Sequence, residues 1–226
     1  MHIPDGFLSM PVAAATYAVS ASVGAAAIVQ AKRRFSDRFV PLAGICAAFI
    51  FAAMMINFPI GGGTSGHFLG AMMACILLGP AMGFWVITLV LTVQCLVFAD
   101  GGITALGANV LNMGIVGGII CYGIFMLLVK ALPKGKGSFL SAAFGVSWFA
   151  VVLAAFVCSI ELGVSGTIPF RVVIPVMTGF HALIGLGDAI VTTAVLSYML
   201  NARPDLVYAW NEGRRMLVGK EATANG

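Results

Sequence analysis

Seven apolar stretches lie along this chain, near residues 11–31, 40–57, 68–78, 81–98, 108–130, 139–162 and 172–200, with short breaks between them. A helix that crosses a bilayer needs about 20 mainly apolar residues, and most of these windows approach or exceed that length. Hydrophobic residues make up 61% of the 226 and charged residues 9%, which leaves too little polar surface to coat a water-soluble globule. The expected fold is therefore an all-α integral membrane bundle of about seven transmembrane helices. Residues 1–200 form one domain that includes the N-terminal segment, and residues 201–226 form a cytoplasmic juxtamembrane tail. The third window is short enough for a re-entrant or buried segment, and Gly79–Pro80 after it marks either a kink or a turn.

Charge placement sets the count and the orientation, because Lys and Arg near span ends stay on the cytoplasmic side. With seven crossings and the N-terminus outside, the inner segments hold Lys32, Arg33, Arg34, Arg38, Lys130, Lys134, Lys136, Arg203, Arg214, Arg215 and Lys220, and Arg171 alone faces out. Merging the third and fourth windows would send one basic loop to the wrong side. The net charge of +4 thus reports topology, not a nucleic-acid partner, and no basic stripe with interleaved aromatics accompanies it. The opening MHIPDG has no Lys or Arg, so it does not read as a secretory signal and is expected to be retained, initiator methionine included.

The outer face then gathers the N-terminus, NFPIGGGTSGH, ADGGITALGAN and ELGVSGTIPFR, which carry nearly all the non-basic polar chemistry. The α-amine of Met1, the amide nitrogen of His2 and its imidazole can close fused chelate rings on one ion acidic enough to displace the amide proton. Cu(II) and Ni(II) favour such square-planar nitrogen sets, whereas Ca(II) and Mg(II) want oxygen and Zn(II) a tetrahedron. His67, on the same face, is the natural fourth donor. Gln94, Asp100, Asn109 and Asn112 cluster near one mouth, either to orient metal-bound imidazoles or, for Asp100 and Asn109, to cap helices. Asp5, Thr64, Ser65 and Glu161 have similar standing. His181 and Asp188 lie one heptad apart in the last window, as an ion or proton pathway or as an internal hydrogen-bonded pair.

Other features read as packing. Cys46, Cys75, Cys95, Cys121 and Cys158 are isolated in apolar stretches without a C-x-x-C pair. Met54, Met55, Met72 and Met73 form adjacent pairs that point to different helix faces, which does not suit Cu(I) handling. Glycines in NMGIVGGIICYG let helix backbones approach, while Gly61–Gly63 forms a hinge or a plain linker. RPDLVYAWNEGRRML in the tail suits a short interfacial helix, for anchoring or for contact with a partner subunit. PKGKGS is not a phosphate-binding loop, and no nucleophile, base and orienting group share a spacing, so the chain does not read as an enzyme.

Four pieces, MHIPDGFL, GGTSGHFLG, ADGGITALGANVLNMG and GFHALIGLGDAIVT, together resemble the substrate-capture membrane component of nickel and cobalt energy-coupling-factor transporters. The likeness covers nearly the whole chain to about residue 200. It implies a bundle of about seven helices in a bacterial or archaeal cytoplasmic membrane that takes Ni(II) or Co(II) from outside. The ligands it implies are Met1, by amine, His2, by amide and imidazole, and His67. The ion is substrate, with no cofactor, and the TSGH and HIPDG forms look more like nickel members than cobalt members, which supply cobalamin synthesis. The partners it implies are a membrane coupling subunit, two ATPase copies, a small accessory membrane subunit and lipid. A rival reading is capture of a small vitamin-type organic molecule, with His67 merely lining the pocket.

Overall fold

The computed structural model describes residues 1–34, 39–60 and 64–213, without the side chains of Arg33, Arg34, Phe58 and Thr64. The expectations placed on Arg38, Gly61–Gly63, Arg214, Arg215, Leu217 and Lys220, and on the Thr64 side chain, lie outside the described residues. Helices occupy each apolar window: α1 (Met10–Arg34), α2 (Val40–Met54), α3 (Ala71–Leu78), α4 (Pro80–Phe98), α5 (Leu106–Ala131), α6 (Lys136–Val164) and α7 (Phe170–Ala202). Five of them, α1 and α4 to α7, are long and apolar enough to cross a membrane, and the chain is a multi-pass membrane protein.

The second window does not continue as helix to residue 57. After Met54 the chain turns into an antiparallel hairpin, β1 (Asn57–Ile60) and β2 (Thr64–His67), in the register Asn57↔His67 to Ile60↔Thr64. Pro59 has no N–H to continue a helix. The hairpin carries His67 to zero exposure. Because β2 and the extended Phe68–Gly70 already run inward, α3 needs only eight residues, all of them buried. Non-helical backbone at such depth is tolerated where protein surrounds it and its polar groups are paired.

Asp188 supplies that pairing. Its Oδ1 accepts the Leu69 and Gly70 N–H groups at 2.9 and 2.8 Å, just where α3 begins. A carboxylate at the N-terminus of a buried helix satisfies free donors and opposes the helix dipole. Asp188→Ala should therefore cost roughly 3 kcal/mol, since two buried charge-assisted bonds are lost. The check is a lower thermal midpoint of the purified protein in detergent.

Gly79, at φ +87°, makes the tight turn from α3 into α4, so the GP pair is a turn. The two helices then pack so closely that a Cβ on Gly83 would sit 2.7 Å from the Cys75 backbone nitrogen. Within α5, residues Leu111–Ile120 adopt a π register. Glycines line that stretch: a Cβ on Gly117 would lie 2.9 Å from Leu69 Cδ2 and one on Gly118 3.3 Å from Cys75 Sγ. All five cysteines are free and buried, as are Met54, Met72 and Met73, in keeping with packing roles.

The two ends of the bundle differ in chemistry. The hairpin, the N-terminal segment, the start of α5 and the α6–α7 turn meet at one end, where Thr167 Oγ1 donates to the Phe7 carbonyl. At the other end Lys136 Nζ donates to Asn201 Oδ1 at 2.8 Å, and Tyr122 donates to Glu212 at 2.7 Å. Beyond α7, Val207 and Ala209 are buried and the Trp210 ring meets Phe139 edge-on at 5.2 Å. The described part of the tail is thus packed on the bundle.

Candidate metal centre at the chain start

The first three residues do not trail into solvent; they are sunk into the bundle, with Met1 and Ile3 at 0% exposure and His2 at 4%. A cradle of main chain and amides holds them. Ile3 N–H donates to Asn109 Oδ1 at 2.9 Å, Asn109 Nδ2 returns a bond to the Ile3 carbonyl at 3.3 Å, and Gly102 N–H donates to the same carbonyl at 2.9 Å. Asp5 Oδ1 accepts from the Thr104 N–H at 2.7 Å and its hydroxyl at 2.6 Å. These two bonds hold the Asp5 carboxyl below the usual carboxylate range. Asn109 therefore clamps the N-terminal backbone instead of capping a helix, and Asp5 pins the segment at the surface.

The Met1 amine and the His2 and His67 rings lie together at this buried end. The Met1 amine donates to the Ser65 carbonyl. Burial, which disfavours the charged form, lowers its pKa to about 5. The His2 and His67 rings stack with centroids 4.4 Å apart and planes at 28°. His2 Nε2 meets Gln94 Oε1 at 3.2 Å. The oxygen can only accept, so Nε2 carries the hydrogen and Nδ1 keeps its lone pair. His67 Nδ1 donates to the Phe68 carbonyl at 2.7 Å, leaving a bare lone pair on Nε2. Both His2 Nδ1 and His67 Nε2 are buried without a hydrogen-bond partner. Desolvation, and then the nearby amine, push His2 down to about 3 and His67 well below the ordinary histidine value.

Asp100 follows the end of α4, where Ala99 takes φ +53°; it does not start a helix. Its Oδ1 lies 3.3 Å from His2 Nδ1 and its Oδ2 accepts from Asn57 Nδ2 at 3.2 Å. With His2 neutral that first contact is no ion pair. Burial raises the Asp100 carboxyl, against the pull of the nearby amine. A bare imidazole lone pair beside a carboxyl oxygen is an arrangement that a cation relieves.

Other predicted residues do different work. Ser65 contributes its carbonyl, and its hydroxyl is unpartnered. Asn112 donates to Glu161 Oε2 at 2.6 Å. His181 and Asp188 are not bonded to each other: His181 Nδ1 donates to the Met177 carbonyl at 2.7 Å and Asp188 caps α3. Gly101, Gly102 and Thr104 entered the sequence reading only as part of the ADGGITALGAN stretch, although Asp-Gly-Gly-x-Thr between two apolar windows marks a tight backbone approach. Among the described residues no three His, Cys, Asp or Glu side chains are grouped to hold a metal.

A family described as "Cobalt uptake substrate-specific transmembrane region" matches residues 2–206. A chain of Archaeoglobus fulgidus, assigned as a fused nickel transport protein NikMN, is 45% identical over 209 residues, covering 92% of this chain and 68% of that one. The fused nickel transport protein NikMN of Rhodobacter capsulatus is 33% identical over 221 residues, covering 92% and 64%. The crystal structure of a truncated transition metal transporter superposes with a TM-score of 0.81 at 35% identity, covering 89% of this chain and 99% of that one.

Proposed function

Because the chain belongs to the family of cobalt-uptake substrate-specific transmembrane regions, we propose that it captures Ni(II) at its buried N-terminus for import across the membrane. The observation that carries this reading is the burial of the chain start with the His2 ring stacked on the His67 ring, each keeping one ring nitrogen, His2 Nδ1 and His67 Nε2, without a hydrogen-bond partner. Together with the Met1 amine and the His2 amide nitrogen these two make four nitrogens on a short tether. A set that includes a deprotonated amide favours the square-planar ions Ni(II) and Cu(II) over Co(II). The ligands are Met1, His2 and His67, with Gln94 fixing the His2 tautomer and Phe68 that of His67.

On this reading the end that holds the site faces out, seven crossings follow, and Lys32, Lys130, Lys136 and Arg203 lie on the cytoplasmic side. Energy comes from ATPase subunits acting through a membrane coupling subunit, with a small accessory membrane subunit. Competitive uptake of nickel and cobalt in cells expressing the chain with such partners tests the choice of ion. Nickel should suppress cobalt accumulation at equal concentrations, and the reverse result would assign the site to Co(II).

The depressed basicities set a pH dependence. Near pH 7 neither the amine, at about 5, nor His2, at about 3, carries a proton, so binding displaces the amide proton alone. Nickel affinity should rise about tenfold per pH unit between pH 6 and 8 and about 100-fold per unit below pH 5, where the amine must also lose its proton. An exposed chain start, with its amine near 8, would give about 100-fold per unit already between pH 6.5 and 8. Docking of the empty segment is fully favoured above pH 8 and weakens as pH falls toward 5, because the released amine takes the proton. Nickel titrations of the purified protein across this range distinguish the two slopes.

A further inference from the structure

The proposed ligands are all closed off from solvent, with Met1 and His67 at 0% exposure and His2 at 4%. A hydrated ion therefore needs a group that it meets before them. Among the described residues one carboxylate contacts a ligand nitrogen: Asp100, whose Oδ1 lies 3.3 Å from His2 Nδ1. The Asp100 side chain is 17% exposed and that of His2 3%, so the acid is the open side of the contact. With Asp100 ionised both atoms carry lone pairs, because His2 Nε2 donates to Gln94 and Nδ1 is left bare.

That contact has the dimensions of a coordination edge. Two donors each about 2.1 Å from one ion, at right angles to each other, stand about 3 Å apart. The observed 3.3 Å is within a few tenths of an ångström of this edge, so Oδ1 and Nδ1 can share one octahedral ion with little movement.

The fold fixes Asp100 there from both sides. Ala99, at φ +53° the one non-glycine with positive φ among the described residues, and Gly101, at φ +93°, bend the chain sharply around it. A Cβ on Gly101 would lie 3.4 Å from His2 Cδ2, so the bend is laid against the His2 ring. On the other side Oδ2 accepts from Asn57 Nδ2 at 3.2 Å. Asn57 is exposed and is the cross-strand partner of His67. The same carboxyl is thus tied to the strand opposite His67, whose ring stacks on that of His2 with centroids 4.4 Å apart. Exposure falls in steps from Asn57 through Asp100 and His2 to His67.

We propose that Asp100 is the receiving ligand of the site: its carboxylate takes the hydrated divalent ion at the mouth and passes it to His2 Nδ1. The inference rests on the capture function proposed above. A carboxylate oxygen replaces one water of the incoming ion, as suits an ion that still carries an oxygen shell. Nδ1 then replaces a second water while Oδ1 still holds the ion. The remaining nitrogens displace the other waters and Oδ1 in turn, so Asp100 is not a ligand of the final planar ion. The ion never sheds its whole shell at once, a step whose cost in a dry site would be prohibitive. A negative group at the mouth also draws cations in, with an association rate that declines as salt is added.

The test is the rate of nickel uptake by the full chain in detergent, with the reaction stopped at set times by excess chromophoric chelator. Asp100→Asn keeps an oxygen for Asn57 and removes the charge. Its association rate constant should fall tenfold or more, its release rate should not rise, and the decline of association with salt should flatten. Asp100→Glu restores a carboxylate at the mouth and should recover association to within threefold of wild type. Uptake by Asp100→Asn within threefold of the wild-type rate, or uptake by Asp100→Glu as slow as that of Asp100→Asn, overturns the receiving role while leaving the capture function standing. A loss of affinity in Asp100→Asn carried by faster release does the same, since it makes Asp100 a support of the bound state only. If the wild-type chain itself took up no nickel, the capture function would fail first and the receiving role with it.

Discussion

Adding three residues ahead of Met1 is expected to lower nickel affinity on the order of 1000-fold or more while leaving the helices intact. The extension turns the Met1 amine into a peptide amide and has to pass through a space where Met1 is completely buried. Both changes remove nitrogens from the ion, whereas no contact between α3 and α7 is touched. Competition against a chromophoric chelator reads the loss, and circular dichroism shows the retained helix. Insertion of a single residue after Met1 is not an equivalent test, because an amine, two amides and an imidazole then form a new four-nitrogen set. Unchanged affinity in the extended chain would remove the amine from the site.

The second large effect falls on a residue with no donor atom. A Cβ on Gly102 would lie 2.2 Å from the Asp5 nitrogen and 2.6 Å from the Pro4 carbonyl carbon. Both are backbone atoms that cannot swing aside, so Gly102→Ala should expel the N-terminal segment and break the bond from Gly102 N–H to the Ile3 carbonyl. Nickel affinity should fall about 100-fold or more, comparable to or beyond the loss of an outer-shell partner. Gly123→Ala is the control, since nothing lies within 4 Å of its Cβ position, and it should bind normally. If Gly102→Ala bound as tightly as wild type, the segment would not need the docked position that the structure gives it.

The helices were legible because each writes itself as a local apolar run, and the Met1 amine and the His2 ring could be placed together because they are covalently adjacent in MHIPDG. What escaped was non-local. NFPI and TSGH flank a glycine run, a fair hairpin signal, but the stretch read as an outer loop and the apolar window before it as helix to residue 57. The role of Asp188 was hidden because its partners, the Leu69 and Gly70 N–H groups, are 119 and 118 residues away. The spacing from His181 to Asp188 allowed a hydrogen-bonded pair, which the separate partners of the two side chains rule out. Nor does anything in the sequence of Leu111–Ile120 mark the π register found there. Asn109 and Asp100 could each serve as cap or as support until the fold showed one clamping Ile3 and the other facing His2.

X-ray absorption at the nickel edge, on the loaded wild-type protein and on His67→Ala, is the most direct measurement of the central claim. The wild-type spectrum should show a four-coordinate planar ion with nitrogen neighbours only, two of them imidazoles, and His67→Ala should lose one imidazole. An octahedral, oxygen-rich first shell, or a wild-type spectrum unchanged by the loss of His67, would contradict it.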